Sequence, residues 1–369
     1  MKSGMDTRGI DGLRGIAAIG IAWFAHYYFL VPDDTFPFYN GITHWLWYFS
    51  TYFVDLFFVI SGFVMVYAYR EKIVKGQVSF TEFVKKRLMR FYPLMVFSLI
   101  CVVILQEVHK VTAGVVFKDV LIADNSVLAF LLNLLCLQGT SLVSSSFNAP
   151  SWYLSIVLIM YILFFVVTYF AGKYGKEKIA YFLMMILGIT LAIKAYPTIF
   201  LNCRGVTGFF AGCVLYEVCD RVCNITDNKK KNIVTWTALV ALLVICAIGI
   251  KEGHGVFASS NQVIVVYGIF IWPMCVFLAV CMPWVKWILS RRIFLFLGKI
   301  SFSMYLIHYP VMILMDNINI ACNLGIHYEG RKAFVLYVAM VMVISILCYY
   351  FVEKKLDKLV KGTFNEKKL

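Results

Sequence analysis

Charged side chains are scarce in this chain. Only 15% of its 369 residues are Asp, Glu, Lys or Arg, where soluble domains run nearer a quarter, and the shortage argues against an ordinary water-soluble enzyme. Proline is sparse at 8 residues and the 24 glycines follow no collagen-like repeat. No C-x-x-C pair occurs among the 11 cysteines, and Cys219 and Cys223 lack the histidine pair that would complete a metal site. The chain also has no P-loop, G-x-S-x-G, H-E-x-x-H or G-x-G-x-x-G. ATP-driven transport, serine hydrolysis in a soluble domain and zinc chemistry therefore lose support. No convincing internal repeat of the transporter kind is visible.

What is abundant is apolar surface, at 62% of residues, with 32 Phe, 22 Tyr and 8 Trp, which excludes disorder. A helix needs about 20 apolar residues to cross a bilayer. Ten segments approximate that length, near 12–31, 45–69, 92–109, 152–171, 179–196, 203–219, 233–250, 262–283, 300–319 and 332–352. The expected fold is thus an all-α polytopic bundle of about ten transmembrane helices. It forms one domain over 1–369, with a core at about 8–353 and a basic tail at 354–369. The first segment lacks a small-residue cleavage site and reads as a retained helix. The stretch 127–140 is too short to span and reads as an outer-face or re-entrant piece. Basic residues accumulate on the cytoplasmic side of membrane proteins. With both termini inside, 27 of the 34 Lys and Arg fall inside and 7, Arg204 among them, fall outside. The net charge of +14 reads as topology, with no nucleic-acid partner.

Ionisable side chains at bilayer depth are costly, so each is a functional candidate. His26 lies 12 residues beyond Arg14, about 18 Å along a helix. Arg14 then sits near the cytoplasmic mouth and His26 in the outer half. Two readings stand for His26: a buried imidazole bonded to a neighbouring helix, or a catalytic group. Asp55, in the returning second helix, enters at similar depth, and a carboxylate on one ring nitrogen would fix the tautomer. Its alternative is a backbone bond at a helix break. Gly62 and Ser61 suit close helix packing. Arg87 and Arg90 share a helix face at i, i+3, and two guanidiniums there suit a phosphate, although positive-inside bias also accounts for basic residues at that place. His308, in the late helix, reads as a structural or supporting histidine. His44, His109, His254 and His327 lie in or beside outer loops and read as incidental.

Together these residues resemble the acyltransferase 3 family of integral-membrane acyltransferases. Arg8-Gly9-Ile10-Asp11-Gly12-Leu13-Arg14-Gly15 followed by Phe24-Ala25-His26 is similar to its first-helix pattern. Val54-Asp55-Leu56-Phe57-Phe58-Val59-Ile60-Ser61-Gly62-Phe63 is similar to its second. Arg87-x-x-Arg90 with Tyr92-Pro93 is similar to its third, and Gly298-Lys299-Ile300-Ser301 through Tyr305, His308 and Pro310 to a late-helix motif. The likeness runs from about residue 8 to 353. It departs at Val157, where the family often carries glutamate after Trp152-Tyr153-Leu154-Ser155, and no appended hydrolase-like segment is seen.

The resemblance implies transfer of an acyl group, most often acetyl from acetyl-CoA, to a hydroxyl of a surface or secreted glycan or glycolipid. His26 would be general base or acyl acceptor, with Asp55 its orienting carboxylate. Arg14, Arg87 and Arg90 would hold acyl-CoA, a co-substrate, with no permanently bound cofactor and no metal. Asp11, Trp152, Ser155, Tyr305 and His308 would support the site or line the acceptor path. A multi-pass protein of a bacterial inner membrane is expected. The rivals are a transporter or flippase for a glycan or lipid intermediate, and a non-catalytic receptor or scaffold.

Overall fold

The computed structural model describes residues 5–31, 49–117, 125–140, 142, 147–194, 200–252, 260–356 and 358. Among them the chain is helical and contains no strand. The helices are α1 (Arg8–Ile19), α2 (Phe53–Val74), α3 (Phe80–Ala113), α4 (Val127–Leu134), α5 (Trp152–Gly172), α6 (Glu177–Lys194) and α7 (Phe200–Cys223). They continue as α8 (Asn228–Glu252), α9 (Ser260–Val265), α10 (Trp272–Cys281), α11 (Pro283–Leu289), α12 (Arg292–Ala321) and α13 (Arg331–Cys348).

The ten apolar segments are mostly helical where described, the first being broken at His26 and the eighth at Met282. Seven described helical stretches are long and apolar enough to cross a membrane, and the chain is a helical membrane bundle. The seven are Ser50–Val74, Phe80–Ala113, Ala149–Gly172, Asn228–Ile248, Val263–Cys281, Arg292–Ala321 and Arg331–Leu356. The other three segments are helical too, in α1, α6 and α7, but each is interrupted or carries more charge: Arg14 in α1, Glu177, Lys178 and Lys194 in α6, Arg204 and Glu217 in α7. The stretch expected to be re-entrant holds the eight-residue α4, far too short to span.

Two compact units are present. The first comprises Met1–Ala17, Tyr52–Val84 and Ile156–Lys299. Its central seam joins α2 and α7 through small residues. A Cβ on Gly62 would collide with the Phe209 carbonyl, and one on Gly212 with the Val59 carbonyl. Packing of this closeness is how membrane helices associate without a hydrophobic drive between them. In α1, Gly12 lies against the Leu289 carbonyl, and Gly298 lies against the carbonyl of Asp11. The glycines of the opening motif are therefore packing positions. Glu217 on α7 receives both Arg70 of α2 and, at 2.7 Å, Lys178 of α6.

The second unit comprises Ala18–Thr51, Lys85–Ser155 and Ile300–Leu369. After Ile19 the first helix widens into a π-turn over Gly20–Ala25, breaks at His26, and finishes as a 3₁₀ turn, Tyr27–Phe29. π-turns of this kind recur at functional positions. Helix ends leave carbonyls without donors, and here the Tyr337 hydroxyl of α13 donates to the Ala22 carbonyl at 2.6 Å. The break at His26 is thus held by tertiary contacts.

Candidate active site

His26 sits at that break with φ −109° and ψ −3°. Its Nδ1 lies 2.8 Å from Nε2 of His308, a fully buried residue of α12, and its ring stacks on Phe29. The other nitrogen of His308, Nδ1, faces the Met304 carbonyl at 3.2 Å. A carbonyl only accepts, so His308 carries hydrogen on Nδ1, and its Nε2 in the neutral ring accepts. His26 must then donate from Nδ1, which puts the lone pair on its Nε2. The pair of rings fixes the tautomer that a base or nucleophile needs, the task expected of a carboxylate.

His308 is placed by a defect two residues away. Pro310 lies inside α12 and has no N–H, so the carbonyl four residues earlier, that of Leu306, loses its helical donor. Asn148 supplies one: its Nδ2 donates to Leu306 O at 3.1 Å and to Ser98 Oγ at 3.1 Å. The preceding residue, Phe147, has φ +48°, a conformation costing a bulky residue about 1–3 kcal/mol. That strain, together with a bond from Phe147 N to Asn125 Oδ1 at 2.8 Å, delivers Asn148 to α12.

The residues expected along an acceptor path serve the same scaffold. Tyr305, buried, donates its hydroxyl to the Pro150 carbonyl. Ser155, fully buried, donates to Gln138 Oε1 at 2.9 Å and accepts from Gly139 N at 3.1 Å. Gln138 also donates to the Ser151 carbonyl at 3.1 Å. Gly139 lies against the carbonyl of half-buried Trp152. Val157, at the position where the family often carries glutamate, is buried in the apolar α5.

Asp55 has a different partner from the one expected. Arg204 of α7 grips it with both arms, Nε to Oδ1 at 3.1 Å and a terminal nitrogen to Oδ2 at 2.9 Å. The side chains are 1% and 3% exposed, and the guanidinium also lies over Tyr52. A buried carboxylate needs a charged, hydrogen-bonded partner, and a bidentate guanidinium meets that need better than an imidazole. Asp55 is therefore bound to a scaffold cation, and Arg204, counted outside on sequence, lies buried in a helix. The signal was available: an arginine in an apolar run wants an acid at matching depth.

Arg14 pairs with Asp11 at 3.6 Å, one turn apart on α1, with 28% and 56% of the side chains exposed. Arg87 is half-buried and Arg90 exposed, both in the first turns of α3. His109, read as incidental, is 3% exposed near the other end of α3 and bonded through both ring nitrogens. His44 and His254 lie outside the described residues, and His327 is exposed.

Comparison with known proteins bears on this geometry. The pattern of the acyltransferase 3 family, described as an acyltransferase domain, matches residues 7–350. The O-acetyltransferase OatA of Staphylococcus aureus (strain NCTC 8325 / PS 47) is 24% identical over 382 aligned positions, 95% of this chain and 57% of that protein. The protein called "Protein 2 in picA locus" of Rhizobium radiobacter is 36% identical over 91 residues, 24% of this chain and 40% of that protein. This chain thus spans about half the length of these curated relatives. No solved structure matches.

Proposed function

Because this chain belongs to the acyltransferase 3 family, we propose that it is a membrane O-acyltransferase moving acetyl from acetyl-CoA to a hydroxyl of a surface or secreted glycan. The similarity to a protein named O-acetyltransferase supports acetyl as the group. The observation that carries the reading is the 2.8 Å contact of His26 with His308 at the break in the first helix.

In this reading the His26 Nε2 takes the proton of the acceptor hydroxyl. The hydroxyl oxygen attacks the thioester carbonyl, the C–S bond breaks, and the departing thiolate recovers that proton from the imidazolium. His308 holds the tautomer, and the Met304 carbonyl holds His308. Arg87 and Arg90 bind the CoA phosphates at the cytoplasmic end of α3. Ten crossings with both ends inside the cell, in a bacterial inner membrane, place the basic residues accordingly.

The test uses the purified full chain with labelled acetyl-CoA and a panel of glycans, following thiol release and product mass. Thiol release matched by acetylated glycan, and lost in His26→Ala, supports the reading. Glycan translocation without thiol release, or near-native turnover in His26→Ala, overturns it.

A further inference from the structure

The end of α3 opposite Arg87 and Arg90 is built around His109. Gly114, at φ +75°, ends the helix and turns the chain back. Gln106 Oε1 then accepts from Phe117 N at 3.0 Å, and His109 Nδ1 meets the Val115 carbonyl at 2.8 Å. The other ring nitrogen, Nε2, lies 3.0 Å from Oδ2 of Asp316 on α12. The ring thus bridges a helix end and α12, one nitrogen facing the Val115 carbonyl and the other the Asp316 carboxylate.

Asp316 passes the connection on. Its Oδ1 accepts from the Tyr328 hydroxyl at 2.7 Å. Burial, and then this bond, keep the Tyr328 phenol above its ordinary titration range, so it remains a donor. The loop bearing Tyr328 is folded back on α12 by Asn319, whose Oδ1 accepts from Ile326 N at 2.9 Å. The main-chain carbonyl of Tyr328 finally accepts from the hydroxyl of Tyr27 at 2.9 Å. Tyr27 is fully buried, packed on Phe334 and Tyr337, and is the residue after His26.

We propose that His109, Asp316 and Tyr328, acting through Tyr27, are positioning residues that hold His26 in register with His308. This rests on His26 being the base of the proposed transfer. His26 stands between a π-turn and a single 3₁₀ turn, in which Phe29 N donates to His26 O and Leu30 N to Tyr27 O. A short 3₁₀ turn has poor hydrogen-bond geometry and holds direction weakly. The Tyr27 phenol fixes the main chain at the adjacent residue, and the His109–Asp316 contact, through the Tyr328 hydroxyl, fixes the residue whose carbonyl it grips. Displacement of a reacting group by about 1 Å costs on the order of a hundredfold in rate, so a tether one residue from the base acts on turnover without touching either substrate.

The test uses the full chain in lipid nanodiscs with ¹⁵N-labelled histidine, comparing Tyr27→Phe, Asp316→Asn and His109→Gln with wild type. His327→Gln is the exposed control. In the wild type, His26 should show a single tautomer, protonated on Nδ1. Tyr27→Phe, which deletes one oxygen, should yield a mixture of tautomers and lower kcat roughly ten- to a hundredfold, with KM for acetyl-CoA unchanged. Asp316→Asn and His109→Gln should move both readouts the same way. A wild-type His26 spectrum in Tyr27→Phe overturns the proposal, whatever happens to kcat; so does an altered spectrum at unchanged kcat. Absence of acyl transfer in the wild type would defeat the proposed function instead, and the histidine spectra would still decide whether the tether orders His26.

Discussion

Removing one side of the Asp55–Arg204 pair should be far more damaging than removing both. The two side chains are 1% and 3% exposed and joined by two hydrogen bonds of 3.1 and 2.9 Å, so solvent screening discounts little. Arg204→Met leaves a carboxylate without its cation, at an expected cost of about 3–5 kcal/mol, or roughly two to three and a half decades in the unfolding equilibrium. Asp55→Asn orphans the guanidinium and should cost a similar amount. The double variant buries a neutral amide beside an apolar chain, with a residual cost of about 1–3 kcal/mol for the unmet hydrogen bonds. The cycle should therefore close with a coupling of several kcal/mol. Unfolding by SDS in mixed micelles, followed by tryptophan emission, measures each corner. The pH–rate profile of whichever variants stay folded should keep its acidic limb in place, because Asp55 serves Arg204. Costs that simply add, single variants below about 1 kcal/mol, or a limb displaced by Asp55→Asn would refute the reasoning.

His308→Ala removes the His308 acceptor of the His26 Nδ1 hydrogen and should lower kcat by about a hundred- to ten-thousandfold, the range a positioned general base contributes, with acetyl-CoA affinity unchanged by equilibrium binding. Arg87→Ala with Arg90→Ala should weaken acetyl-CoA binding about tenfold or more, each charged hydrogen bond contributing about 1.5–3 kcal/mol. Lysine at both positions should restore only part of it, since it cannot bind bidentately; titration of CoA against the variants decides. Single cysteines placed at Asn228 and Leu324 in a Cys-free background should be labelled from opposite faces of sealed vesicles, Asn228 from the cytoplasmic one. Labelling from one face contradicts the ten-crossing arrangement.

The helices are legible because about 20 apolar residues and a basic flank leave few alternatives. Gly62 is legible as a packing position because a small residue lets membrane helices approach, whereas the packing role of Gly12 against Leu289 shows only in the structure. Partners are not legible. Counting residues along a helix gives the depth of a side chain but not which way it points or which helix lies beside it. Asp55 suits His26 by depth and His308 reads only as a supporting histidine, yet the structure joins His26 to His308. Arg204 sat near a segment end and was counted as external, although its depth matched Asp55. Pro310 announced a missing hydrogen bond, yet nothing in the sequence said that Asn148, 158 residues earlier than Leu306, would supply it. His109 neighbours a loop and reads on sequence as incidental, because its acid, Asp316, lies 207 residues away.

The same separation sets a problem for biogenesis. Arg204 follows Asp55 by 149 residues, and at about 5–20 residues per second roughly 7–30 s of synthesis part them. For that interval the second helix has emerged with an acid that costs on the order of 2.5–3.5 kcal/mol at the centre of a membrane helix. Its apolar run outweighs that cost, but the helix has no reason to sit at its final depth until α7 arrives. The Gly62–Phe209 seam cannot close earlier either. The first unit is thus assembled late, by capture of an early helix already waiting in the membrane, and a chain truncated before residue 204 should hold α2 loosely and be handed to membrane quality control.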